Sequence, residues 1–228
     1  MSPVDNDCRQ LLSLIAHELR SPGAVVAGYL RLLLRNPSSL PDPERKMIED
    51  ANRSCARLLE VVRELGDLAD LGGTASLQPF SPVPIFELCD EVVQAAVRAG
   101  GAVTFSCADT DRPAVVEGHA RRLRQVVGAL VAVNQRERGA RPFEACGFIS
   151  REGGPSHAII AFGDPGIAAR PEDLLAHRHA AFDRWLGGVG LSLPIAHHII
   201  EAHRGVLWAL PGDSRATCAL SLPLIPSA

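Results

Sequence analysis

The residues Ala16-His17-Glu18-Leu19-Arg20-Ser21-Pro22 concentrate reactive chemistry in one short run of this 228-residue chain. A neutral imidazole is a nucleophile when a neighbouring base takes its proton, and Glu18 stands directly beside His17. Arg20 offers a cation to an anionic group. Ser21 offers a hydroxyl. Two later runs combine glycines with features suited to ligands. In Gly163-Asp164-Pro165-Gly166-Ile167-Ala168 a carboxylate sits at a tight turn. In Gly187-Gly188-Val189-Gly190-Leu191-Ser192 glycines precede a helix, whose first amides are free to meet phosphate.

Other chemistries find little support. The formal charge is −3 with a pI near 6.2, and Lys and Arg do not cluster, so nothing recommends a nucleic-acid partner. Aromatic residues make up 4% of the chain, too few for base stacking to be a theme. Six cysteines, Cys8, Cys55, Cys89, Cys107, Cys146 and Cys218, are irregularly spaced with no CxxC pair, and are read as reduced thiols. His177, His179, His197, His198 and His203 are read as surface or core side chains, without the paired carboxylates or cysteines of a metal site. The metal-ligating residues are therefore unknown. No apolar run is long enough to span a bilayer, and Met1–Asp7 is polar, unlike a signal peptide. A cytoplasmic protein is expected.

The elements that position these residues follow from periodicity. Leu11, Leu12, Ile15, Leu19, Val26, Tyr29, Leu30 and Leu33 recur at three- and four-residue steps, predicting a helix over Gln10–Leu34. Asp5, Asn6 or Asp7 could cap it, and Pro22 should kink it one turn after His17. A second helix begins at Asp42 and stops at Gly72-Gly73, with a stripe from Met47 to Leu71. Two long amphipathic helices form an antiparallel hairpin. One hairpin cannot bury stripes this wide but two can, so the pattern predicts a homodimer closed as a four-helix bundle. Residues 8–73 form that domain, and Thr74–Pro84 reads as a linker.

Residues 85–226 change character. Helices are expected over Ile85–Ala99, Ala120–Val133 and Leu191–Ala202. Strands are expected over Val103–Cys107, Val115–Glu117, Gly147–Ser150, His157–Phe162, Gly205–Leu210 and Thr217–Leu222. Two hairpin turns are expected, across Glu152–Pro155 and Pro211–Asp213. Helices on one mostly antiparallel sheet make the fold class α+β, a sandwich following the hairpin.

The run at His17, inside a two-helix hairpin, resembles the phosphoacceptor box of two-component sensor histidine kinases. The second domain resembles the ATP-binding domain that follows it in that family, a fold shared with the gyrase and Hsp90 ATPases. The resemblance implies that His17 accepts phosphate with Glu18 as base. It also implies that Arg20 meets phosphate charge and that Ser21, with Glu18, orients water for dephosphorylating a response regulator. Residues 122–136 resemble the asparagine-box helix, which holds Mg²⁺ against the triphosphate. In ungapped register its two asparagine positions are Ala129 and Val133. Asn134 lies one residue late, about 100° round the helix, and Arg136 matches a basic, phosphate-meeting position. Asp164 and Gly166 match the Asp-x-Gly-x-Gly loop, whose aspartate takes the adenine amino group, with Ala168 replacing the second glycine. Gly188, Gly190 and Leu191 match the glycine-rich box, with Ser192 replacing a glycine, and Glu201-Ala202-His203-Arg204-Gly205 matches the ending of its helix. Phe182–Trp185 resembles the phenylalanine box. It lies so close to Gly187 that the family's mobile ATP lid is nearly absent.

The expected function is therefore autophosphorylation at His17 from ATP with Mg²⁺, then transfer to the receiver domain of a response regulator, in answer to an upstream kinase or sensor. The alternatives are a histidine phosphotransferase or phosphatase adaptor that does not use ATP, and a non-enzymatic scaffold that binds the regulator.

Overall fold

The computed structural model describes residues 3–35, 41–70, 79–151, 155–167, 175, 192–210 and 216–225. They fall into two units, Met1–Gln78 and Pro79–Ala228.

The first unit is a hairpin of α1 (Pro3–Leu34) and α2 (Asp42–Asp70). The first helix begins a full two turns before the expected Gln10. Asp5, Asn6 and Asp7 are inside it and cannot be its cap. Pro3 is tolerated there because first-turn amides have no intrahelical acceptor. Helix continues through Pro22. The expected stop of α2 at Gly72-Gly73 lies outside the described residues.

On α1 the hairpin closes on small side chains, and on α2 on Leu59 and Val62 of the sequence stripe. Ala16, Ala27 and Val62 are buried, and a Cβ on Gly23 would come within 2.7 Å of Leu59 Cδ2. The Cys55 thiol donates to the Gly23 carbonyl at 3.5 Å. Residues 16, 23 and 27 share one face of α1, so two backbones can approach along that line. Leu11, Ile15, Leu19, Val26, Tyr29 and Leu33 remain exposed in the single chain.

The second unit packs helices α3 (Ile85–Arg98), α4 (Ala120–Arg138) and α5 (Ser192–Ala202) on a five-stranded sheet. In spatial order the strands are β2 (Val103–Cys107), β4 (Phe143–Ser150), β5 (His157–Gly163), β7 (Ala216–Pro223) and β6 (Val206–Ala209). The β2–β4 pair is parallel and the other pairs are antiparallel. The α+β class holds. A separate two-stranded sheet pairs β1 (Ser81–Pro84) with β3 (Val115–Gly118).

That pairing corrects the linker reading: its last four residues are a strand of the second unit. Pro82 and Pro84 lack amide donors but fit a strand with only one neighbour. Two other elements are longer than expected. Helix α4 runs to Arg138, past Asn134 and Arg136, and β4 begins at Phe143 rather than Gly147. Its early residues Phe143, Ala145 and Cys146 are buried. A strand covered this way lacks the alternation that marks a half-exposed strand, and here a charged residue, Glu144, also interrupts the apolar residues. Both expected hairpin turns fall largely outside the described residues.

One buried histidine ties the start of α4 to the end of α5. His203 Nε2 accepts the His119 amide at 3.0 Å, and its Nδ1–H donates to the Ile199 carbonyl at 2.7 Å. Phe80 stacks on its ring at 4.8 Å between centroids. Burial, aided by His119, holds its pKa below the usual 6.5 against the raising effect of the Ile199 bond. The unfolded chain therefore binds this proton more readily than the folded one, so stability rises with pH up to about 6.5. Acidification below that value is expected to lower the melting temperature of the wild type. His203→Gln is expected to flatten this part of the profile, which thermal melts from pH 7.5 to 5 would read.

Cys55, Cys89, Cys107, Cys146 and Cys218 are free. Burial pushes Cys146 up to about 12 and Cys218 up to about 11, so both stay protonated core thiols near neutrality.

Candidate functional site

His17 stands on α1 beside buried Ala16, with 79% of its side chain exposed. Its Nδ1 lies 3.7 Å from Glu18 Oε1, and Glu18 is 72% exposed. That separation is too long for a hydrogen bond. It leaves Nε2 as the ring nitrogen open to a reagent, with the carboxylate on the Nδ1 side able to take or stabilise a proton there. Arg20, one turn on, reaches across to α2, where a Cβ on Gly66 would lie 3.3 Å from its Nη2. Gly66 thus leaves room for the guanidinium. Ser21 is exposed on the same helix. The four residues of the run share about one turn of a single helix, so local structure alone brings them together.

The second unit is less uniform. Asn134 is 1% exposed. Its amide donates to the Leu130 carbonyl at 2.9 Å, and its oxygen accepts from the Thr217 hydroxyl at 2.7 Å. Both ends of the side chain are engaged in the core between α4 and β7. This corrects the expectation that Asn134 serves a nucleotide or metal: one residue of register turns it inward. Val133 is buried, and neither it nor Ala129 carries an oxygen. Mg²⁺ takes oxygen ligands, so the side chains at these two positions do not fit the ion. Arg136 is exposed near the C-terminus of α4. Asn134→Ala is expected to remove the bonds to Leu130 and Thr217, whose hydroxyl keeps the Phe162 carbonyl at 3.1 Å, and to cost about 0.5–1.5 kcal/mol of stability for each bond lost. Denaturant titration would measure that loss. Nucleotide affinity measured on the folded fraction is expected to stay unchanged.

Asp164 follows β5 and is 53% exposed. Arg138, in the last turn of α4, forms an ion pair with its carboxylate. Gly166 has φ +88°, a conformation that L side chains rarely adopt. Its amide donates to Glu144 Oε2 at 2.5 Å, and Ser106 donates its hydroxyl to the other oxygen of Glu144. Ile167 is buried in the core. Glu144, Ser106 and Arg138 were not singled out from the sequence. Glu144 alternates into a β4 stretch read as loop, and Arg138 lay beyond the expected end of α4. Gly188, Gly190 and Leu191, with Ala168 and the Phe182–Trp185 run, lie outside the described residues.

Among the described residues no cluster of three or more His, Cys, Asp or Glu could hold a metal. A carboxylate does stand one turn from a histidine, contrary to the sequence reading: His197 Nδ1 is 3.3 Å from Glu201 Oε2. Among the described residues no helix is long and apolar enough to cross a membrane.

Comparison with known proteins agrees with this arrangement. Residues 9–74 match the His Kinase A (phospho-acceptor) domain. The chain is 28% identical over 224 residues to the probable sensor histidine kinase TcrY of Mycobacterium tuberculosis, covering 95% of this chain and 46% of the relative. It is 27% identical over 235 residues to the sensor histidine kinase TrcS of the same organism, covering 97% and 45%. The chain thus spans about half the length of these relatives. Among solved structures, full-length ShkA in complex with AMPPNP shares the fold at TM-score 0.62 and 23% identity, over 96% of this chain and 46% of that one. The histidine kinase AdeS of Acinetobacter baumannii does so at TM-score 0.52 and 20% identity, over 93% and 100%. The hairpin thus carries a phosphoacceptor-domain match, and along nearly its whole sequence the chain is similar to two-component sensor histidine kinases.

Proposed function

We propose that the chain carries a phosphoryl group on His17 in two-component signalling and passes it to an aspartate of a response-regulator receiver domain. The observation that carries this reading is the exposed imidazole of His17 with Glu18 on its Nδ1 side, inside the matched phosphoacceptor domain. Nε2 attacks phosphorus with its lone pair as the bond from phosphorus to the donor's leaving oxygen breaks, and the proton left on the ring is stabilised at Nδ1 by Glu18. Arg20 meets the charge of the phosphoryl oxygens. In a separate phosphatase step Glu18 and Ser21 orient the water that hydrolyses the regulator's acyl phosphate, releasing inorganic phosphate and the aspartate carboxylate.

The hairpin pairs with a second copy. The exposed face of Leu11, Ile15, Leu19, Val26, Tyr29 and Leu33 supports this, since a contiguous apolar surface of that extent favours burial. The phosphoryl donor is ATP, which supplies its γ-phosphoryl group when bound by the second unit. Asp164 would hold the base, and the glycine-rich segment would hold the phosphates. Phosphoryl transfer depends mostly on positioning and charge neutralisation. The side chains of Ala129 and Val133 carry no oxygen, which removes one neutralising term. That observation favours a second reading, in which phosphate reaches His17 from a phosphorylated partner rather than from this chain's own ATP.

Labelling separates the two. The chain is incubated with γ-labelled ATP and Mg²⁺, and in parallel with a labelled phospho-regulator. Label from ATP supports the autokinase. Label from the regulator alone supports the phosphotransferase. Label from neither overturns His17 as a phosphoacceptor.

A further inference from the structure

The ion pair between Arg138 and Asp164 joins two residues with opposite claims on the base site. Asp164 is the carboxylate whose place in the loop matches an adenine reader, and a carboxylate reads adenine by accepting from its 6-amino group. Arg138 already donates to one of its oxygens. Its side chain is only 15% exposed, so the guanidinium lies in the structure rather than waving in solvent. A guanidinium carries donors only. The adenine amino group and Arg138 are therefore both donors to one carboxylate, of which Arg138 already engages Oδ1.

Which side yields is set by what holds each. The Asp164 loop is fixed. Gly166 donates its amide to Glu144, Ser106 braces that carboxylate, and Ile167 is buried among Cys146, Ile159, Ala161 and Trp208. The Ile167 amide also closes on the Asp164 carbonyl at 3.2 Å. Arg138 is the flexible partner, on a long side chain in the last turn of α4. Its Nε is buried and finds no acceptor among the described residues. A buried donor left unpaired is unfavourable, and swinging outward would return it to water. The arginine is held on one side by Asp164 and has a reason to leave on the other.

We infer that Arg138 gates the base site: its guanidinium takes up acceptor capacity of Asp164 that an adenine amino group would use, and an adenine nucleotide binds more tightly once it is displaced. This rests on the nucleotide-binding reading of the second unit. The gate acts on the 6-amino group alone, so it weakens binding of adenine nucleotides more than that of hypoxanthine nucleotides, which lack that donor.

The test measures ADP and IDP binding to the full chain by calorimetry, with melts to verify folding. Arg138→Gln, which removes the charge and keeps polar bulk, is expected to bind ADP about tenfold or more tightly than wild type, the worth of one hydrogen bond to a charged group. IDP affinity should change little, so the ADP-to-IDP ratio rises. Adding Asp164→Asn should cancel the gain, and Arg138→Lys, which keeps a cation near Asp164, should retain weak ADP binding. If Arg138→Gln binds ADP no more tightly, or gains equally for ADP and IDP, the gate is wrong while nucleotide binding stands. If no form binds either nucleotide, the gate and the nucleotide reading both fall.

Discussion

His17→Gln is expected to abolish phosphorylation of the chain from every donor, while the helical signal and melting temperature remain those of wild type. Glutamine keeps a polar side chain of helix-compatible shape on an exposed face, so folding has little to lose. It removes the only ring nitrogen in the run able to attack phosphorus. The effect should be complete within detection, because no other histidine lies in the described hairpin. Glu18→Gln should be milder. It keeps the imidazole and removes the neighbouring charge, so the transfer rate should fall by about 10²–10⁴-fold, the usual worth of a positioned base. Acid-labile phosphate, followed over time with ATP and with a phospho-regulator as donors, distinguishes the two variants. Residual labelling of His17→Gln comparable to wild type would remove His17 from the mechanism.

Trp208→Ala is expected to be the most damaging core substitution in the second unit, costing about 3–5 kcal/mol against a typical domain stability of about 5–15 kcal/mol. The argument comes from register. Trp208 pairs with Ala219, Ala219 with Ala161, Ala161 with Cys146, and Cys146 with Ser106. One row across all five strands thus sets a single large ring beside small side chains. The indole is fully buried, and Ile159, Ile167 and Leu210 complete its cluster. None of these small neighbours can expand into the void, so the lost contacts are not recovered. Urea titration of the full chain should show the transition of the second unit moving to markedly lower denaturant. The same variant should loosen the Asp164 loop, since Ile167 anchors it in that cluster. Trp208→Phe should recover much of the loss. A cost below about 1 kcal/mol for Trp208→Ala would contradict this packing.

The fate of Asn134 shows how a sequence match and a structural role separate. Its neighbours on α4 carry the match, yet the amide is consumed by Leu130 and Thr217. Thr217 is 83 residues away in sequence. No window along α4 could disclose that bond. The apolar stripe of α1 misled in a different way. Periodicity identified Leu11, Ile15, Leu19 and Val26 correctly as one face but not what that face meets. Within the chain the hairpin closes on Ala16, Gly23 and Ala27, because only small side chains let the helices approach where Leu59 packs on Gly23. Small residues carry little hydrophobic signal, so a reading by periodicity passes over them.

The sequence by itself determined what depends on neighbours in the chain. It placed a histidine, a carboxylate, a cation and a hydroxyl within about one helical turn at residues 17–21. It also established the two-helix hairpin, the α+β order of the second unit and an Asp-Pro-Gly turn after a strand. Helical spacing and turn chemistry are local, so they can be read without tertiary contacts. Tertiary structure alone decided what depends on residues brought together from afar. It turned Asn134 inward, extended α4 to Arg138, and set that arginine on Asp164 across 26 residues of chain. It also braced Gly166 with Glu144 from a different strand. The carboxylate that could read a base is thus visible in the sequence. The cation that competes for it is disclosed only by the fold, because an ion pair depends on distance in space and not along the chain.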